Sequence, residues 1–168
     1  QGIAQNLLGL AAMQQRQLDL AESRFDLAEQ LLTPLETKES VIELAFVHNH
    51  RGMVCLDKFE LEEAEAFFKK AMEPMRDRKL DLIGIMTNLA VVHTRKGQLA
   101  EAIATNYEVL KLKETIHGPE APVLATNYQN LGHCYLQKSD YSKAETAFQI
   151  ASKLYSGEEE NFYHAYPL

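Results

Sequence analysis

The sequence has little positive charge and no long apolar stretch. It contains 17 lysine and arginine residues against 24 acidic ones, which gives a formal net charge of −7. Sequence-independent nucleic-acid binding relies on cations that neutralise phosphates, so we expect no nucleic-acid partner. No apolar run approaches the roughly 18 residues that a membrane helix needs, and no signal peptide is recognisable. We therefore expect a soluble chain that does not insert into a membrane.

The sequence also lacks the motifs of common catalytic sites. It has no Gly-rich phosphate loop, no nucleophile elbow and no carboxylate pair with a defined setting. Among its six histidines, His48 and His50 are two residues apart and His133 precedes Cys134, so neither pair shares a helix face as a metal pair would. We expect no enzymatic activity, no metal and no cofactor.

Small residues, in contrast, recur at fixed distances from aromatic residues. The stretch NLGHCYLQKSDYSKAETAFQIA, residues 130–151, sets Gly132, Ala144, Phe148 and Ala151 in steps of twelve, four and three. The same steps connect Gly9, Ala21, Phe25 and Ala28; Gly52, Ala64, Phe68 and Ala71; and Ala90, Ala102, Asn106 and Val109. Small side chains let two helices approach closely while rings fill the gaps between them. The recurrence predicts four stacked pairs of helices.

This spacing resembles the tetratricopeptide repeat (TPR), in which an apolar–Gly pair and a Tyr on one helix precede Ala and Phe on the next. Leu8-Gly9, Leu89-Ala90 and Leu131-Gly132 supply the pair, and Tyr135 supplies the ring in repeat four. The opening Trp of the pattern is absent, and its place is taken by Gln5, His48, Met86 and Tyr128. The resemblance implies an all-α fold, a right-handed α-solenoid of four TPR repeats with about eight helices.

Apolar positions at i, i+3, i+4 and i+7 predict a pair of amphipathic helices in each repeat. We place the first helices at 3–16, 41–56, 82–96 and 122–138, and the second helices at 18–32, 60–77, 99–116 and 141–156. A single TPR domain then covers 1–157, with repeats at about 2–39, 40–80, 81–120 and 121–157, followed by a tail at 158–168. Ser40 with Glu43 fits a capping box, Asp81 and Asp140 fit N-caps, and Gly97 fits a turn.

The repeats are longer than the common TPR unit. Equivalent residues are 43, 38 and 42 residues apart, compared with about 34 in the common unit. Together with the stretches HGPEAPVLATNYQNLGHCYLQKSDYSKAETAF and TNLAVVHTRKGQLAEAI, this longer unit resembles the kinesin light chain type, also seen in bacterial peptide-sensing regulators. The resemblance implies that Asn88 and Asn130 hold the backbone of a bound peptide.

The first helices of such a stack line a concave surface that binds extended protein segments. Equivalent stripes on these helices become more polar from repeat one to repeat four, and Asn or Gln can pair with peptide backbone of any sequence. We predict a protein or peptide partner held in a groove formed by Asn49, His50, Met53, Thr87, Asn88, Val91, Arg95, Thr126, Gln129, Asn130, His133 and Gln137. Asn6 extends this row, and the apolar end at Leu7, Leu10, Phe46 and Met53 would accept hydrophobic side chains of the ligand or a preceding helix.

Two alternative functions remain open. The repeats would then act as an assembly scaffold through convex or end surfaces, which includes homo-oligomerisation, or as a peptide-sensing regulatory domain. The tail NFYHAYPL would occupy a groove as a mock ligand, or be a frayed end or the start of a further element. Because the sequence begins at Gln1 already in a helical pattern, we expect it to be a segment of a longer or processed chain.

Asn106 is the position where the repeat pattern has no aromatic ring. Asn106 replaces a ring in the repeat pattern, which should remove roughly 1.5–3 kcal/mol of apolar burial unless Tyr107 swings in. We expect a flexible seam there that acts as a hinge between repeats three and four.

Cys55 and Cys134 lie on first helices two repeats apart, beyond the roughly 7 Å limit between the Cα atoms of a disulfide. We expect free thiols and a cytoplasmic, reducing location.

Overall fold

A computed structural model describes the backbone of residues 1–165 and the side chains of residues 1–156. Within this described part, eight α-helices and three short 3-10 turns are present, and there is no strand. The helices are α1 (Gly2–Gln14), α2 (Leu18–Leu32), α3 (Lys38–Asp57), α4 (Leu61–Met72), α5 (Lys79–Arg95), α6 (Leu99–His117), α7 (Ala125–Gln137) and α8 (Tyr141–Ala165). The 3-10 turns are Thr33–Leu35, Glu73–Met75 and Pro122–Leu124, each with a proline in its first turn.

The turn inside each helix pair uses a left-handed residue. This residue lies seven positions after the small residue of the first helix in every repeat, at Arg16, Phe59, Gly97 and Ser139, with φ of 58°, 63°, 74° and 58°. A left-handed backbone costs a residue with a Cβ atom about 1–2 kcal/mol, so only Gly97 adopts it without strain. The prediction that Gly97 forms a turn is confirmed.

In three repeats, the glycine of the first helix faces the aromatic ring of the second helix. A Cβ atom built on the glycine would lie 2.4 Å from the ring for Gly9 and Phe25, 2.7 Å for Gly52 and Phe68, and 2.6 Å for Gly132 and Phe148. These distances are far shorter than an ordinary van der Waals contact, so a larger residue would displace the ring. The packing rule inferred from the spacing is therefore confirmed in repeats one, two and four.

The chain divides into two compact units, Gln1–Val92 and His93–Leu168. In the first unit, one apolar cluster joins α1, α2 and α3 around Phe25, and another joins α3, α4 and the beginning of α5 around Phe68. In the second unit, α6, α7 and α8 pack around Leu131. The cores are thus formed between neighbouring helices, as expected for stacked repeats.

The N-terminal caps differ in part from the prediction. The backbone N–H of Ser40 donates to Thr37 Oγ1 at 3.1 Å, and the backbone N–H of Thr37 donates to Ser40 Oγ at 3.0 Å. The predicted capping box of Ser40 with Glu43 is wrong because Thr37 caps α3 three residues earlier. Asp81 lies inside α5 and accepts from Arg78 Nε at 2.6 Å, so it is not an N-cap. Asp140 is an N-cap as predicted, since its Oδ1 accepts from the backbone N–H of Lys143 at 3.3 Å.

Three helix ends also differ from the prediction. The chain passes from α4 into a 3-10 turn at Glu73 because Pro74 cannot donate the next helical hydrogen bond, so α4 does not continue to 77. A proline-led 3-10 turn likewise occupies 122–124 before α7 begins. The last helix continues to Ala165 instead of ending at 156, since one glycine in a helix costs only about 1 kcal/mol. The side chains of the predicted tail lie outside the described residues, so its role stays a prediction.

Candidate functional site

Four polar side chains link the first helices of the first unit. His50 Nδ1 lies 2.8 Å from Asn6 Oδ1 and links α3 to α1. Asn88 Nδ2 donates to Asn49 Oδ1 at 3.3 Å and links α5 to α3. Because an amide oxygen only accepts, the His50 proton is on Nδ1 and Nε2 is an acceptor. We call Asn6, Asn49, His50 and Asn88 the polar row.

The polar row is uncharged at neutral pH. Asn6 is only 4% exposed, and the other three side chains are half-buried. Desolvation lowers the pKa of His50 to about 4, and the ring of Phe25 lies 5.6 Å from the imidazole, centroid to centroid. The row therefore consists of amide and imidazole dipoles and contains no charge.

The remaining predicted groove residues of the first unit have other contacts. The Thr87 hydroxyl donates to the Ile83 carbonyl oxygen of its own helix at 2.8 Å. Met53 and Val91 are partly buried against the apolar cluster around Phe68. Asn49, His50 and Asn88 are therefore the predicted groove residues of this unit that take part in hydrogen bonds between helices. Met53 and Val91 contribute to the core.

The predicted apolar end is partly exposed. Leu7 on α1 is 60% exposed and Leu10 is half-buried. Phe46 packs against the core, with the Arg78 guanidinium 5.8 Å from its ring centroid. The exposed part of the predicted apolar end is therefore formed by α1 of repeat one more than by Phe46 of repeat two.

The other predicted residues lie in the second unit. Arg95, Thr126, Gln129, His133 and Gln137 are exposed, and Asn130 is half-buried. The His133 imidazole packs edge-on against Phe148, with 5.2 Å between ring centroids and an interplanar angle of 78°. Phe148 is the ring that covers Gly132, so the same packing that holds α7 to α8 also orients His133.

A buried polar network in the second unit corrects the expectation for Asn106. Asn127 Nδ2 donates to Asn106 Oδ1 at 3.0 Å, and Asn106 Nδ2 donates to the Ala102 carbonyl oxygen at 2.9 Å. Both asparagines are 0% exposed. The expected flexible seam loses its basis because the amide that replaces the ring is hydrogen-bonded. Tyr107 does not swing in; it is 50% exposed, and its hydroxyl lies 3.1 Å from that of Tyr135.

Lys113 completes this network. Its Nζ donates to Asn127 Oδ1 at 2.6 Å and to the Val123 carbonyl oxygen at 2.9 Å. Desolvation lowers the pKa of Lys113. Sequence reasoning missed Asn127, although its position four and seven residues before the buried Leu131 and Cys134 marks it as a core position.

A charged cluster lies on α2, α3 and α4. Arg51 bonds to Asp26 at 2.8 Å and to Glu29, and its guanidinium lies 4.6 Å from the Phe67 ring centroid. His48 Nε2 lies 3.2 Å from Glu29 Oε1, so the imidazole is hydrogen-bonded to the carboxylate of α2. Desolvation raises the pKa of Glu29, but the hydrogen bond with His48 and the charge of Arg51 outweigh it and lower the pKa overall. The opposite charges in this cluster satisfy one another.

The two cysteines are free and buried. Desolvation raises the pKa of Cys55 to about 11, so this side chain is a thiol at neutral pH and a poor nucleophile. Within the described residues, no three His, Cys, Asp or Glu side chains are grouped as a metal site would require. Over the same part of the chain, no helix has both the length and the hydropathy to cross a membrane.

Solved structures share the fold of this chain. BtubC (BKLC) from P. vanneervenii superimposes with a TM-score of 0.83 at 22% identity, over 92% of this chain and 63% of that one. A Rap protein complexed with Competence and Sporulation Factor gives 0.66 at 22% identity, over 96% of this chain and 44% of that one. Repeats from Podosopora anserina, described as nearly identical TPR-like repeats of the kinesin light chain type, give 0.61 at 12% identity, over 92% and 95%. The chain thus spans less than two thirds of the length of the first two proteins.

The sequence comparisons agree with this fold. No curated protein matches the sequence. Two family models, both described as tetratricopeptide repeat, match residues 81–156 and 47–73. The predicted all-α class of helix–turn–helix repeats is confirmed, and it is a class of generally non-catalytic protein-interaction modules. With its glycine–ring packing present in three of the repeats, the chain belongs to the tetratricopeptide repeat family.

Proposed function

We propose that this chain is a non-catalytic module that binds an extended peptide segment of a partner protein along its first helices. The observation that carries the proposal is the polar row, in which uncharged hydrogen-bonding side chains from three successive first helices lie together. Neutral amides match the N–H and C=O groups of an extended backbone, which are present whatever the peptide sequence. The partner is a protein, and the proposed location is the cytoplasm.

The proposed contacts are those predicted from the sequence, taken unit by unit. In the first unit they are Asn49, His50, Met53, Thr87, Asn88 and Val91, and in the second unit they are Arg95, Thr126, Gln129, Asn130, His133 and Gln137. Asn88 and Asn130 occupy the same place in their repeats and are both half-buried, so each amide is partly desolvated before a ligand arrives. A hydrogen bond made from such a site displaces less water and contributes more than one made from a fully exposed side chain.

Two of the comparisons support this proposal. The Rap protein of similar fold was crystallised in complex with Competence and Sporulation Factor, and repeats described as of the kinesin light chain type share the same fold. Both precedents concern proteins of low identity to this chain. The polar row of this chain therefore carries the proposal of peptide binding.

The proposal is tested by selecting peptides on the immobilised chain from a phage-displayed library of random nonapeptides. The best-enriched nonapeptide is then resynthesised with fluorescein and titrated by fluorescence polarisation. We expect Asn88→Ala with Asn130→Ala to weaken binding at least about fivefold, since each lost hydrogen bond contributes about 0.5–1.5 kcal/mol. Gln30→Ala, an exposed amide on α2, is the control and should bind within twofold of wild type. Enrichment of no peptide, or unchanged affinity in the double variant, would refute the proposal.

A second candidate function is assembly through the end of repeat one. Ile3, Leu7 and Leu8 on α1 and Leu20 and Leu27 on α2 are exposed large apolar side chains. Such a surface is typical of protein interfaces. Light scattering over a range of concentrations tests whether copies of the chain associate there. An association that Leu7→Gln with Leu20→Gln abolishes would support this function, and a monomer at all concentrations would exclude self-assembly.

A further inference from the structure

The two hydrogen bonds of the polar row follow one rule. In both, the acceptor is the Oδ1 atom of an asparagine that lies three residues before the small residue of its first helix, namely Asn6 before Gly9 and Asn49 before Gly52. The donor in both lies two residues before the small residue of the next first helix, namely His50 before Gly52 and Asn88 before Ala90. The repetition in two successive pairs of helices indicates a geometric consequence of how first helices stack.

This rule separates the roles of neighbouring residues. An asparagine side chain has two N–H donors and one carbonyl oxygen. When Asn88 donates one N–H to Asn49, one N–H and the oxygen remain, which is the complement of a single C=O and N–H pair of an extended backbone. His50 is held in the same way and keeps the Nε2 lone pair as an acceptor. The preceding helix thus fixes the orientation of the residue that is left to meet the ligand.

We propose that Asn49 is a positioning residue for Asn88: its amide oxygen orients Asn88 so that the remaining N–H and the oxygen of Asn88 bind one backbone peptide group. This inference rests on the proposed peptide binding and changes the role of Asn49, which the sequence predicted as a direct contact. At repeat two, Nε2 of neutral His50 would accept a hydrogen bond from a backbone N–H of the ligand. A ligand carboxylate at that place is disfavoured, because His50 offers a lone pair and no positive charge.

The contacts of Asn49 agree with a positioning role. Its oxygen accepts from Asn88, and its Nδ2 lies 3.9 Å from Met53 Sδ, a weak acceptor. Met53 is itself packed against the core cluster around Phe68. Asn49 therefore lies between a fixed core side chain and Asn88, and a defined position of its oxygen follows from this packing.

The test compares substitutions that keep or remove the acceptor at position 49. Asn49→Asp keeps an oxygen in the same place, Asn49→Leu removes it while keeping the branch at Cγ, and Gln30→Leu is a control for a new surface leucine in the same unit. The first readout is the side-chain amide signal of Asn88 in ¹H–¹⁵N spectra of the free chain, assigned by its loss in Asn88→Ala. The second readout is the affinity for the fluorescein-labelled nonapeptide selected as described above.

We expect Asn49→Leu to move the Asn88 amide signal and to weaken peptide binding about threefold to tenfold, the range for one neutral hydrogen bond. Asn49→Asp should leave affinity within about twofold of wild type, since the acceptor is retained. Gln30→Leu should change neither readout.

Two results would overturn the inference and are distinguishable from each other. If Asn88→Ala weakens binding but Asn49→Leu does not, or if Asn49→Asp loses as much affinity as Asn49→Leu, peptide binding stands and the positioning role is refuted. If Asn88→Ala binds the nonapeptide as tightly as wild type, the proposed contact of Asn88 fails, and the role of Asn49 fails with it.

Discussion

The same substitution, glycine to alanine, should have different effects on stability at two places in the first unit. Gly52 and Gly84 both lie inside helices, in α3 and α5. Alanine favours a helix over glycine by about 1 kcal/mol at either place. What differs is the space around the new methyl group, so the pair of variants isolates the contribution of packing.

The geometry at Gly52 makes the methyl group costly. The new Cβ atom would lie 2.7, 2.9 and 3.0 Å from three atoms of the Phe68 ring, compared with at least 3.4 Å in ordinary contact. Phe68 is 0% exposed, so the ring has no free space into which it can retreat. Overpacking of this kind typically costs about 1–3 kcal/mol. At Gly84, by contrast, no atom lies within 4 Å of the new Cβ.

We therefore expect Gly84→Ala to raise the free energy of unfolding by about 1 kcal/mol and Gly52→Ala to leave it unchanged or lower it by up to about 2 kcal/mol. The difference between the two variants, about 1–3 kcal/mol, corresponds to about 2–12 °C in Tm for a chain of this size. Urea denaturation followed by far-ultraviolet circular dichroism, together with thermal melts, measures both quantities.

A second substitution connects the effect to the ring. In a Phe68→Leu background, the smaller side chain should relieve the clash, so that Gly52→Ala loses less stability than it does beside Phe68. If Gly52→Ala stabilises the chain as much as Gly84→Ala does, the ring does not cover Gly52. The packing rule that connects the sequence to the fold would then be wrong.

Three further predictions concern single side chains. Burial lowers the pKa of His50 to about 4, below its value in the unfolded chain. His50 therefore stabilises the fold at neutral pH, and this stabilisation is lost as the pH falls because the unfolded chain takes up the proton first. Relative to His50→Gln, the free energy of unfolding of wild type, measured by urea denaturation, should fall by about 2 kcal/mol between pH 7 and pH 5. Asn106→Phe restores the ring of the repeat pattern but removes the acceptor of buried Asn127, so it should lower the free energy of unfolding by about 1–3 kcal/mol. A variant more stable than wild type would contradict the hydrogen-bonded network. Ser139→Gly should raise Tm and Gly97→Ser should lower it, each by about 1 kcal/mol in free energy, since both positions are left-handed; equal melts for all three chains would contradict the turn geometry.

Local pattern was sufficient to predict the helices and their pairing. The spacing of Gly132 and Phe148 is set by the helical repeat and by contact between adjacent helices, so it is readable without coordinates. The first residue of α3 could not be predicted in this way. Thr37 and Ser40 are both good N-caps, and the choice between them depends on which one the chain brings to the helix end. Helix ends depend on small differences of this kind.

The residues of the predicted groove could also be predicted only in part from the sequence. The helical period placed Asn49, His50 and Asn88 in the predicted groove, and in the structure each makes a hydrogen bond to a neighbouring first helix. The period could not show that Asn49 bonds to Asn88 and His50 to Asn6, since those partners lie on different helices and their distance depends on how the helices stack. Asn106 shows the same limit: its residue type indicated a defect in the core, and only the position of Asn127 across the helix interface decided that the amide is satisfied.

The sequence by itself therefore determined the eight helices, their pairing and the face that each presents, because these depend on the helical period and on side-chain size within one repeat. Only the tertiary structure decided which polar groups on different helices bond to one another. A hydrogen bond requires two atoms within about 3 Å, and for residues on separate helices the packing of the intervening side chains sets that distance.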